Sequence, residues 1–247
     1  MQHVEVGPDG ARTGYVEIPG DGTPFVLLHG LGAASAPYYA ATVASPALAG
    51  RHAFLVDLLG FGTSDRPLAF GYSLAEQADA VARALDALGL AAVDLVAHSM
   101  SGGIAVILAD RRPDLVARLV LVEPSLRPTP RPGVDGLTED EFVRTGFTRR
   151  LEAAGPQWAA TMRLADPVAQ YRAERALGDM PVLDDVLYGL PMPVHVIEGG
   201  LSGWLAGDEA LAGAGIGVTV VPETTHVLML EAPAAFAAAV ADALPLP

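Results

Sequence analysis

Apolar residues fall along this chain in short, nearly unbroken runs, with stretches of helical spacing between them. Phe25-Val26-Leu27-Leu28, Ala53-Phe54-Leu55-Val56, Val93-Asp94-Leu95-Val96 and Leu119-Val120-Leu121-Val122 are such runs. Val194-His195-Val196-Ile197 and Val218-Thr219-Val220-Val221 follow late in the chain. Strands with so little polar alternation are buried on both faces, as in a parallel sheet covered by helices. The spacers read as helices near residues 36–48, 73–88, 102–109 and 233–244. Ser73 and Glu76 form a capping-box pattern, and Gly89 is a stop signal. The alternation predicts a doubly wound, mostly parallel α/β sheet. Two further runs, near residues 4–6 and 15–18, predict an antiparallel hairpin at the sheet edge.

One region breaks this rhythm. Residues 125–191 show no strand pattern. They open on Arg127-Pro128-Thr129-Pro130-Arg131-Pro132 and continue with helical spacing over 138–153, 156–164 and 167–177. The expected organisation is a core of residues 1–124 and 192–247, interrupted between two late strands by a helical insertion of residues 125–191.

Composition narrows the chemistry. With 247 residues, 51% of them hydrophobic, the chain can bury a sizeable core. The formal net charge is −14, and all fifteen basic residues are arginine. Such a balance disfavours nucleic acid and anionic membrane surfaces as partners. There is no cysteine, which removes disulfides and thiolate chemistry. No run is long and apolar enough to read as a membrane span, and residues 1–5 carry no signal-peptide pattern, so the expectation is cytoplasmic. The six histidines show no metal-ligand spacing, and no phosphate-loop motif is possible without lysine. Neither metal nor cofactor is expected.

The strongest chemical signal is Ala97-His98-Ser99-Met100-Ser101-Gly102, between a strand pattern and a helix pattern. A nucleophile held on a tight strand-to-helix turn needs small residues two places to either side. Ala97 and Ser101 meet that need for Ser99. Ser101 also fits a small-x-Ser-x-Gly frame with Gly103, but a strand ending at Ala97 and a helix starting near Gly102 leave Ser99 at the apex. The second signal is His29-Gly30-Leu31-Gly32 after the first apolar run. A sharp turn there offers the Leu31 N–H to a developing oxyanion, paired with Met100 N–H. His29 itself reads as a buried, hydrogen-bonded loop residue, although it stands where a substrate pocket begins. The third signal is His226, on the loop after the last strand, where an imidazole can serve as base.

These pieces, with Asp57-Leu58-Leu59-Gly60-Phe61-Gly62-Thr63-Ser64-Asp65 and Thr225-His226, resemble lid-bearing members of the α/β-hydrolase superfamily, in the family's order and over nearly the whole chain. The resemblance implies the α/β-hydrolase fold, Ser99 as nucleophile, His226 as base and residues near 125–190 as a helical cap over the pocket. One departure concerns the acid. The position where the family usually carries it, beyond Val194–Ile197, falls on Ser202. Some members carry it one strand earlier, which here is Glu123; Glu198 and Asp208 remain alternatives.

The leading expectation is a serine hydrolase acting on a small or medium apolar ester, thioester or lactone. Its partner is a small-molecule acyl substrate. Phe147, Trp158, Met162, Tyr171 and Met180 are candidates to line the pocket, or to pack the cap on the core. Two alternatives stand beside it: a C–C-cleaving or non-hydrolytic enzyme using the same residues, and a non-catalytic receptor, whose support is the missing carboxylate at Ser202.

Overall fold

The structure is a computed structural model that describes residues 1–7, 9–202 and 209–245. Its chain order is β1 (Gln2–Glu5), β2 (Arg12–Ile18), β3 (Asp21–Leu28), α1 (Ser35–Val43), a 3₁₀ turn (Pro46–Leu48), β4 (Arg51–Val56), α2 (Leu74–Ala87), β5 (Val93–His98), α3 (Met100–Arg111) and β6 (Val116–Val122). After β6 come α4 (Glu139–Glu141), a π turn (Phe142–Gly146), α5 (Phe147–Ala153), α6 (Pro156–Met162), α7 (Pro167–Asp179) and α8 (Asp184–Tyr188). The chain then returns through β7 (Val194–Gly199), α9 (Glu209–Gly213), β8 (Gly217–Val221), α10 (Leu228–Glu231) and α11 (Pro233–Ala243).

Eight strands form one sheet in the order β1-β2-β4-β3-β5-β6-β7-β8. β1 pairs antiparallel with β2 and β2 with β4; every later pairing is parallel. Both faces are covered, as the two-sided burial of the apolar runs requires. One face packs Val26, Leu28, Leu95 and Leu121 against α2 and α3, the other packs Phe25, Leu27, Val96 and Val122 against α1 and α11. The single carboxylate in the buried β5, Asp94, is matched by Arg51 and Arg118, so its charge is paired. The capping box at the start of α2 is present, with Ser73 Oγ accepting from Glu76 N–H.

The long insertion between β6 and β7 is helical and sits over the sheet edge where β3, β4 and β5 end. Trp158 Nε1–H donates to Leu31 O at 3.0 Å, Asp166 N–H to Gly60 O at 2.9 Å, and Arg66 to Leu164 O at 2.7 Å. Its helices depart from the expected spans in two ways. A π turn interrupts the stretch expected as one helix over 138–153, and α8, which no periodicity suggested, packs against α3.

Candidate active site

β5 runs one residue further than its apolar pattern, to His98, and α3 begins at Met100, earlier than the expected Gly102. Ser99 alone makes the turn, at φ 54° and ψ −118°, a region that L-residues avoid. Such a conformation costs roughly 1–3 kcal/mol and persists only where neighbours over-determine it. Here Ser99 N–H donates to Val122 O at 2.9 Å, and Ser99 O accepts from Gly102 and Ser125 N–H at 2.8 and 2.9 Å. Gly102 makes the turn possible: a Cβ there would lie 2.5 Å from Pro124 Cβ. Ser101 does more than stay small. It is fully buried and its hydroxyl donates to His29 O, tying the serine turn to the loop after β3.

Ser99 Oγ lies 2.9 Å from His226 Nε2, and His226 Nδ1 lies 3.3 Å from Glu123 Oε2. Glu123 follows β6 as Ser99 follows β5, also with positive φ, at 47°. Its N–H donates to Ile197 O at 3.0 Å, and its Oε1 accepts from Gly199 N–H at 2.7 Å. Burial opposes a charge on Glu123, yet hydrogen bonds from His226, Gly199 N–H and the Ser202 hydroxyl outweigh it and hold the carboxyl below its ordinary range. Ser202, at the expected acid position, is thus a donor to the Glu123 carboxylate. Glu198 is buried within β7, and Asp208 lies outside the described residues.

Behind His226 stands His98, whose Nε2 lies 2.8 Å from His226 O and whose Nδ1 lies 3.3 Å from Tyr38 Oη. Only a donor suits the carbonyl, so Nε2 carries the proton and Nδ1 accepts from tyrosine. Burial, with His226 beside it, holds His98 well below its ordinary value and neutral.

The loop after β3 brings Leu31 close by. Gly30 is required there, since a Cβ would stand 2.7 Å from His98 Nδ1 and 3.2 Å from Ser99 Cβ. Met100 N–H opens α3, where backbone donors are unpaired and the helix dipole is positive. Leu31 borders the space above Ser99.

That space is a cavity of about 170 Å³, lined by Ser99, His226, Tyr38, Trp158, Leu177 and Val227, with Arg131 and Arg150. A wider cleft of about 420 Å³ opens beside Ser99 and Glu123. The expected lining is corrected at five positions. His29 is fully buried, accepting Leu58 N–H on Nε2 at 3.1 Å, so its Nδ1–H donates to Gly30 O at 2.7 Å. Phe147 and Tyr171 pack on Phe142, and Met162 is fully buried against Gly32. Met180, also offered as lining, is buried in the core. Trp158 lines the cavity. The expectation missed Arg131 and Arg150, because arginine in a helical insertion reads as a solvated face. Among the described residues no group of three or more His, Asp or Glu is arranged to hold a metal, and no helix is long and apolar enough to cross a membrane.

A family model described as the alpha/beta hydrolase fold matches residues 23–179, and the chain belongs to that family. It is 38% identical over 125 residues to a 2-hydroxymuconate semialdehyde hydrolase of Pseudomonas putida, a stretch covering 49% of this chain and 44% of that protein. This chain spans half or less, 37–50%, of the length of several curated relatives it matches. In overall shape it is similar to an enol-lactonase from Burkholderia xenovorans LB400, with TM-score 0.80 and 23% identity over 98% of this chain and 99% of that one. It is likewise similar to Est816, described as an N-acyl homoserine lactone degrading enzyme, with TM-score 0.77 and 26% identity over 98% and 99% of the two chains.

Proposed function

We propose that this chain is a serine hydrolase that cleaves an ester-like bond of a small acyl substrate, a carboxylic ester, thioester or lactone. The observation that carries the reading is the Ser99–His226–Glu123 relay, at 2.9 and 3.3 Å, beneath a cavity roofed by the helical cap. His226 Nε2 takes the Ser99 proton as Oγ attacks the carbonyl, and Glu123 holds Nδ1–H and offsets the imidazolium charge. Leu31 and Met100 N–H groups receive the oxyanion. His226 returns the proton to the leaving group, and water, deprotonated by His226, then frees the acid from the Ser99 acyl-enzyme.

The relay also bears on the alternatives. The receptor reading rested on Ser202 in place of a carboxylate, and Glu123 supplies that carboxylate. The likeness to a 2-hydroxymuconate semialdehyde hydrolase favours one second reading, attack by the same residues at a C–C bond of a keto substrate. A fluorophosphonate probe tests the nucleophile: it should label the wild type on Ser99 and leave Ser99→Ala unlabelled. Turnover of aryl esters, thioesters and lactones set against keto acids separates the two bond types. A protein that the probe does not label overturns the proposal.

A further inference from the structure

Resting on the hydrolase reading above, we infer that the substrate carries a carboxylate, which Arg131 and Arg150 hold while Ser99 attacks a carbonyl a few carbons away. Both arginines line the cavity that contains Ser99 and His226, and Arg131 also lines the wider cleft beside Ser99. They stand out in a chain of net charge −14, whose overall field repels anions. An anionic substrate therefore needs a dedicated cationic seat at the reaction centre.

The local charges leave that seat open. Glu174, 2% exposed, is the carboxylate that faces both guanidiniums, and its Oε1 already accepts from Arg150 Nε at 3.0 Å and Gln170 Nε2 at 2.7 Å. Asp184 is occupied by Arg127, and Asp135 faces Arg175 and accepts from the Arg131 backbone N–H at 3.2 Å, on the main chain and not the guanidinium. Arg131 Nε is buried, and among the described residues no hydrogen-bond partner reaches it. Burial pushes the Arg131 guanidinium below its ordinary value, Glu174 opposes that push and Arg150 adds to it. At the cavity itself two guanidiniums share the buried Glu174, and one further anion between them offsets the second charge.

Shape selects a carboxylate. Guanidinium groups offer planar pairs of N–H donors that match two carboxylate oxygens. Arg150 sits over Trp158, its Cζ 5.0 Å from the ring centroid, and Trp158 Nε1–H donates to Leu31 O. One indole thus sets both the anion seat and the oxyanion loop, so the two ends of a short acyl group are placed together. A cavity of about 170 Å³ limits that group to a few carbons.

The test compares the 4-nitrophenyl monoester of glutaric acid with its methyl ester, identical but for the charge. Wild type should prefer the acid by about tenfold or more in kcat/KM, the scale of a charge-assisted hydrogen bond. Arg131→Met and Arg150→Met should each bring the ratio towards one, Arg131→Lys should keep part of it, and exposed Arg144→Met should leave it unmoved. Calorimetry supplies a readout without turnover: glutarate should bind wild type and lose affinity by about tenfold in Arg131→Met. A wild-type ratio of one, or a ratio the Arg131 and Arg150 variants do not change, overturns the carboxylate seat. If Ser99 labels and the methyl ester turns over equally well, the hydrolase reading stands without it. Arginine-dependent glutarate binding without Ser99 labelling upholds the seat and removes the hydrolase.

Discussion

The Ser202 hydroxyl donates to the Glu123 carboxylate, so the residue beyond β7 supports an acid that β6 supplies. Both loops end at the same sheet edge, because β6 and β7 are parallel neighbours paired from Leu119↔Val194 to Val122↔Ile197. The Glu123 side chain therefore reaches His226 from a strand end one place away from Ser202.

Neutralising that acid should be costly. Glu123→Gln keeps the shape and removes the charge that fixes the His226 tautomer. Turnover should fall by orders of magnitude, up to ~10⁴, while Ser99 stays in place. Glu198→Gln should cost less than about tenfold, since Glu198 lies within β7 and the His226 Nδ1 faces Glu123. Steady-state kinetics on any accepted ester measures both, and equal losses would reverse the assignment.

Ser202→Ala removes one of the donors that hold the Glu123 carboxyl low. Its pKa should rise towards the ordinary glutamate value of about 4.3, read by NMR titration of the Glu123 carboxyl carbon. A titration identical to wild type would show that Ser202 does not support the carboxylate.

The same depression has a consequence for stability. Glu123 binds a proton less readily in the fold than in the unfolded chain. Its stabilising contribution is complete above about pH 4.3 and is lost as pH falls through the lower folded value. Between about pH 5 and 3, wild type should lose more stability than Glu123→Gln, read as the shift in urea midpoint. Parallel losses would count against a depressed carboxyl.

Ser101→Ala should retain fluorophosphonate labelling but lower the melting temperature, by the loss of a buried bond to His29 O worth about 1 kcal/mol. Gly30→Ala should cost activity: its Cβ meets His98 Nδ1 at 2.7 Å, and the crowding displaces the Leu31 N–H. Loss of a single oxyanion donor costs roughly 10²–10³ in kcat. An unaltered kcat in Gly30→Ala would remove the Leu31 N–H from the mechanism.

How much of this was legible in the sequence follows from geometry. The doubly covered strands announced themselves as apolar runs, and the small residues around Ser99 announced the turn. Glu123 was expected through the family resemblance and not from the linear chain, in which nothing shows that the end of β6 lies beside the end of β7. Phe147, Met162 and Tyr171 were expected at the cavity because helical spacing marks an apolar face without saying what that face meets. Arg131 and Arg150 escaped for the converse reason: a charge in a Pro-rich or helical surface segment looks solvated until the fold buries it beside Glu174.

Parallel strand ends about 4.8 Å apart are interchangeable mounting points. Because Ser202 meets the Glu123 carboxylate that faces the imidazole, a carboxylate on either the β7 loop or the β6 loop stands close to His226 while His226 and Ser99 stay still. A chain with acids at both places keeps a working relay throughout, so an exchange of one for the other crosses no inactive ancestor. The histidine loop is then the fixed datum of the site, and the acid is a movable part. A lineage traced by the position of its acid alone would be split where its catalytic geometry is continuous.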